Sequence, residues 1–145
     1  MLEALALFFF FFSRSLASSL NICASPNALY QLDSMANCRL GYKYVPYYRS
    51  YGCACSMLNP STPVDEIDQS VETRQTCYEN LIESAICDFE VAPAFCYYKD
   101  DNRQNQCRDN PHTCPRGVCE CDKALMDCLA RYPRPTPSKA KHCRP

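Results

Sequence analysis

Two charged side chains interrupt apolar helical patterns, and their signs are opposite. The positions Ile67, Val71, Arg74, Tyr78, Leu81 and Ala85 follow one another at spacings of four and three, the period that gathers side chains on one face of an α-helix, and Arg74 is the charge in that face. Val118, Asp122, Leu125 and Leu129 make a second such face, in which Asp122 is the intruder. An isolated buried charge costs several kcal/mol, and stripping one partner from a buried pair costs ~3–5 kcal/mol. The two are therefore expected to meet as an Arg74–Asp122 ion pair between two long helices. The alternative places Arg74 at the edge of its stripe, reaching water along its aliphatic stem.

Other chemistry has few places to reside. The chain has two histidines, His112 beside Pro111 and His142 beside Cys143, and neither is spaced to pair with a nucleophile. Thirteen cysteines in 145 residues is the density of a disulfide scaffold in an oxidising compartment. A zinc site from His112, Cys114, Cys119 and Cys121 is conceivable on composition, but disulfides are the expected use of these thiols. The paired acids Asp100-Asp101 and Asp88 with Glu90 read as solvated surface. A net charge of −1 excludes the positive excess of a nucleic-acid binder. Three glycines, Gly41, Gly52 and Gly117, against eleven prolines exclude a glycine-rich phosphate cradle.

The elements that must position these residues are legible from caps and periods. Residues 1–18 carry the apolar run Leu5 to Phe12 followed by small residues at Ser15 and Ala17, the pattern of a secretory signal peptide, and the run is too short to span a bilayer. Ser25-Pro26 starts a first helix with Leu29, Leu32, Met35 and Ala36 on one face, ending near Cys38. Residues 41–52 read as a tyrosine-rich loop leading to Cys53-Ala54-Cys55. Thr62 is the expected cap of a second helix, with Pro63 in its first turn and Asp65, Glu66 and Asp68 at the positive end of its dipole. A third helix is expected from about Arg116 to Leu129, and a short hairpin between Phe95 and Cys107. The domain so defined spans 25–132, and residues 133–145 form a basic, proline-rich tail, expected to be solvated and fastened at Cys143.

Tyr51-Gly52-Cys53-Ala54-Cys55, then Thr62-Pro63-Val64-Asp65-Glu66-Ile67-Asp68, then Cys77-Tyr78, resemble the secreted phospholipase A2 family. The later order Cys107, Cys114, Cys119, Cys121-Asp122 and Cys128 repeats that family's cysteine ladder, and Ala28 to Cys38 is similar to its first helix. The resemblance runs from about Asn27 to Cys143. It implies a mainly α, disulfide-rich fold: two long antiparallel helices, an N-terminal helix, a calcium loop and a small β-wing. It also implies the pairs Cys38–Cys96, Cys53–Cys143, Cys77–Cys121, Cys87–Cys114 and Cys107–Cys119, each contributing roughly 2–4 kcal/mol. The family's adjacent cysteines in the second helix are Ser70 and Val71 here, so Cys55 and Cys128 lose their usual partners and could bond to each other, leaving Cys23 over. A competing arrangement joins Cys23 to Cys143 and leaves Cys53.

The family hydrolyses phospholipid with a histidine as general base and an adjacent aspartate holding calcium. By resemblance the base position is Arg74 and the aspartate position Gln75. Arginine cannot accept a proton, and an amide offers one neutral oxygen where a carboxylate offers two charged ones. The former calcium positions Ala54, Ser56, Leu58 and Gln75 lack the family's glycines and its carboxylate, so no cofactor is expected, while Asp122 and Tyr78 are retained. The resemblance then implies a secreted, extracellular protein that has lost catalysis and binds phospholipid surfaces or a protein receptor, with Tyr42, Lys43, Tyr44, Tyr47, Tyr48 and Arg49 as the contact residues. Those tyrosines could equally pack inward. The alternatives are an active calcium-dependent esterase and an extracellular matrix protein.

Overall fold

The computed structural model describes residues 26–54, 62–88, 97–99, 104–136 and 143. The signal-peptide region, Cys23, Cys55, Ser56, Leu58 and Cys96 lie outside the described residues. Four helices and one hairpin make up the described fold: α1 (Pro26–Leu40), α2 (Val45–Tyr48), α3 (Glu66–Glu83), β1 (Tyr97–Lys99), β2 (Asn105–Cys107) and α4 (Cys114–Leu129). Among these elements no helix is long and apolar enough to cross a membrane.

The helix α1 begins at Pro26, where the missing N–H costs nothing, and buries Leu32, Met35 and Ala36. It outlasts Cys38 by two residues and stops where Gly41 takes φ 80°, its N–H returning 3.2 Å to the Asn37 carbonyl. The cap of α3 is Asp65, not Thr62. Asp65 is extended and its carboxylate accepts from the Asp68 N–H at 3.0 Å, while Asp68 accepts from the Val64 N–H and so keeps the preceding residues out of the helix. At its other end α3 stops before Ala85, which was expected to face inward. Ala85 is exposed in the left-handed region (φ 57°), while the Ile86 and Cys87 N–H groups close the helix on the Leu81 carbonyl.

The helices α3 and α4 run antiparallel, as their contacts show: Ser70 meets Cys128, Arg74 meets Asp122, Cys77 is bonded to Cys121, and Cys87 to Cys114. Gly117 lets them approach, because a Cβ there would lie 2.4 Å from a Leu81 methyl. The helix α1 packs across α4, and β1 pairs antiparallel with β2 in the register Tyr97 to Cys107 and Lys99 to Asn105. A core of Leu32, Met35, Val71, Leu125, Met126 and Leu129 fills the space between α1, α3 and α4.

The bridges Cys53–Cys143, Cys77–Cys121, Cys87–Cys114 and Cys107–Cys119 are all formed. Cys128 departs from expectation. It carries no disulfide, and its sulfur lies across the helix pair on the Ser70 hydroxyl. The segment expected to be a tyrosine loop is a helical turn whose rings pack inward. Tyr44, Tyr48 and Tyr51 are buried, with Tyr44 and Tyr48 stacked at 5.2 Å between centroids.

Burial raises the phenol of Tyr44 to about 12, and it raises those of Tyr48, Tyr51 and Tyr78 further. A phenol that holds its proton more tightly when folded contributes stability that is complete below its unfolded value near 10 and lost as pH climbs through the folded value. Stability is thus predicted to fall steadily from about pH 10. In a spectrophotometric titration these four phenols should ionise only with unfolding, and ionisation of all ten tyrosines in one early step would contradict the packing.

Candidate functional site

Arg74 and Asp122 meet inside the helix pair. The guanidinium Nε donates to Asp122 Oδ1 at 2.6 Å, and the two side chains are 2 % and 0 % exposed. One turn along α3, Tyr78 completes a triangle: its hydroxyl accepts from Arg74 Nη2 at 3.2 Å and donates to the same Oδ1 at 3.0 Å. The guanidinium also lies 4.6 Å from the Tyr78 ring centroid. From α1, Gln31 Nε2 reaches the second carboxylate oxygen at 3.3 Å. Three helices therefore contribute to one buried polar cluster.

The electrostatics follow from that geometry. Burial raises the Asp122 carboxyl above its usual range, against the pull of Arg74 and of the hydrogen bonds from Arg74 and Tyr78. Burial also works against a charged guanidinium, but the Asp122 carboxylate, followed by Tyr78, outweighs it and holds Arg74 protonated. Within the cluster Arg74 Nε and Nη2, the Tyr78 hydroxyl and both Asp122 oxygens are bonded to one another or to Gln31. Arg74 has no lone pair to offer a water molecule, and the one carboxylate beside it is already engaged on both oxygens.

The loop beside α3 is held in a different way. Asp68 is fully buried, and its carboxylate accepts backbone N–H bonds from Cys53 and Ala54, both at 2.8 Å, besides that of Val64 at 2.9 Å. Gly52 makes this possible: it adopts φ 67°, and a Cβ there would meet the Asp68 carboxylate at 2.2 Å. Two turns along α3 from Asp68, and so on the same face, Gln75 donates from Nε2 to the Ala54 carbonyl at 2.7 Å. The sequence reading treated Asp68 only as a charge near a helix start. The seven-residue spacing of Asp68 and Gln75 was the signal that both face the backbone of Cys53 and Ala54.

Of the positions that the resemblance gives to calcium, the described ones, Ala54 and Gln75, do not fit the ion. The Ala54 carbonyl would face the ion, yet it already accepts from the Gln75 amide, which presents N–H groups to it rather than a carboxylate. Among the described residues no three His, Cys, Asp or Glu side chains are grouped to hold a metal, and Cys114, Cys119 and Cys121 are disulfide-bonded while His112 is exposed.

Of the six residues expected to contact lipid, Tyr44 and Tyr48 are 2 % and 1 % exposed and are withdrawn from that role, since their rings complete the core. Tyr42 and Tyr47 are half-buried with edge-to-face rings 5.2 Å apart, and Lys43 and Arg49 are exposed. The tail does not stand free of them. Pro135 is buried, Arg134 lies over both half-buried rings, and the Cys143 N–H binds the Gly52 carbonyl at 3.2 Å.

Replacing Arg74 by Met leaves Asp122 buried without a cation and is expected to cost about 3–5 kcal/mol in urea unfolding with the disulfides intact. The double replacement Arg74→Met with Asp122→Leu should recover most of that loss. Single and double losses that simply add would contradict the pairing.

A family model described as phospholipase A2 matches residues 29–141, a span that takes in α1 from Leu29 on, the Asp68-bound loop, both long helices and the first part of the tail. The chain belongs to the phospholipase A2 family.

Proposed function

We propose that this is a secreted phospholipase A2 homologue that does not hydrolyse phospholipid and acts by binding phospholipid surfaces. The Arg74–Asp122 pair carries the reading: a guanidinium occupies the position that resemblance gives to the general base, and it is sealed onto the carboxylate that would orient that base. The Gln75–Ala54 hydrogen bond supports it, because the position that would hold calcium closes on the loop by itself. Without a base and without a metal to polarise the ester, binding is the function this scaffold retains. Four disulfides among the described residues and a disulfide-rich family fold fit an extracellular protein. The contact surface includes Tyr42, Lys43, Tyr47 and Arg49, whose mix of aromatic and basic groups suits a headgroup layer.

The test is fatty-acid release from mixed anionic vesicles by the fully oxidised protein, with calcium and with chelator, alongside co-sedimentation with the same vesicles. Background release with co-sedimentation is expected, and calcium-dependent release would overturn the proposal. The replacements Arg74→His and Gln75→Asp together are expected not to restore hydrolysis, because Ser56, Leu58 and Asn59 stand where the family's glycines let carbonyls converge.

A further inference from the structure

Arg134 is an exposed arginine set against two aromatic rings, and among the described residues it forms no ion pair. Its guanidinium carbon lies 5.5 Å from the Tyr42 ring centroid and 5.1 Å from that of Tyr47, and the two rings meet edge to face 5.2 Å apart. The tyrosines are fixed in turn: the Tyr42 hydroxyl bonds the hydroxyl of buried Tyr48 at 3.0 Å, and Tyr47 sits in the single turn of α2. On the chain side, Pro133 and Pro135 flank Arg134, and Pro135 is buried. Proline restricts its own φ and the residue before it, so the backbone that presents Arg134 has little freedom to lose on binding.

A guanidinium held over aromatic faces makes no hydrogen bond with them, so the contact does not use up its N–H donors. The other ion pairs of the described residues engage Arg39, Arg74, Arg116 and Lys123, and none engages Arg134. A flat fork of donors fits a tetrahedral oxyanion in bidentate fashion, and the half-buried tyrosines around it are the side chains that settle at the boundary between apolar and wet layers. Exposed Lys43 and Arg49 flank α2 on either side and add positive charge.

We propose that Arg134, clamped on Tyr42 and Tyr47, is the anchor for the phosphate of an anionic phospholipid headgroup, an inference that rests on the phospholipid-binding reading above and names the group that does the binding. It gives the tail a role that neither the helix pair nor the loop supplies.

Partitioning of the full oxidised chain is measured by co-sedimentation onto vesicles of phosphatidylcholine with phosphatidylserine, and onto phosphatidylcholine alone. Arg134→Gln is expected to weaken binding to the anionic vesicles about fivefold, the effect of one well-placed cation at a membrane surface, and to weaken whatever binding the parent shows to the phosphatidylcholine vesicles, whose headgroups carry the same phosphodiester. Tyr47→Leu should weaken it as well, since the fork loses its platform while the charge stays. Arg131→Gln, which removes an equal charge away from the tyrosines, should have a clearly smaller effect. Equal losses for Arg131→Gln and Arg134→Gln would reduce the matter to bulk charge and overturn the anchor, as would an Arg134→Gln protein that binds like the parent; either result leaves the phospholipid-binding reading standing. A parent protein that binds neither vesicle overturns both. Unchanged thermal midpoints of the variants exclude a folding defect as the cause.

Discussion

The Arg74 guanidinium and the Asp122 carboxylate are 48 residues apart in the chain and 2.6 Å apart in space, in surroundings with almost no contact with water. At that depth neither charge tolerates separation from the other, so the pair, together with the Cys77–Cys121 bridge beside it, fixes the register of α3 against α4. Any local shift that parted them would leave both ions bare, whereas apolar side chains such as Val71 and Leu125 accept small shifts at modest cost. Gln31 on α1 and Tyr78 on α3 depend on the same carboxylate, so the position of the first helix follows from that register too.

The loop is fixed by a second constraint, an anion bound by backbone. Asp68 gathers three main-chain N–H groups, and Gly52 yields the space its oxygens fill. Gln75, seven residues on, meets the carbonyl side of the same strip of chain. One face of α3 thus reads both polarities of the loop backbone, carboxylate to N–H and amide to C=O. In a family whose chemistry asks this loop to present carbonyls to a cation, the Ala54 carbonyl instead meets a donor from its own chain.

The helices and the pair were legible because two periodic stripes each held one charge of opposite sign, and burial leaves little choice about where such charges go. The order of cysteines was legible as a family ladder, and four of the expected bridges lie among the described residues. The errors came where a local rule met a tertiary demand. Thr62 is as good a cap as Asp65 in isolation, but Asp68 needs the Val64 N–H, and that moves the helix start. The tyrosines of residues 41–51 carry no period that separates an inward ring from an outward one, since α2 is only four residues long. Cys128 could not be assigned from the sequence because its neighbour across the helix pair is a serine, a residue without any disulfide signature.

Three of the bridges enclose one another: Cys53–Cys143 surrounds Cys77–Cys121, which surrounds Cys87–Cys114, at separations of 90, 44 and 27 residues. Such nesting changes what each closure has to overcome. Once the innermost bond is made, the free path between the next two thiols is the bonded hairpin's shortcut rather than the full contour, so every outer ring closes as though it were short. The entropy of a loop grows with its effective length, and here that length is reduced from the inside outward. With the inner bonds in place, the path from Cys53 to Cys143 is far shorter than the 90 residues of contour between them.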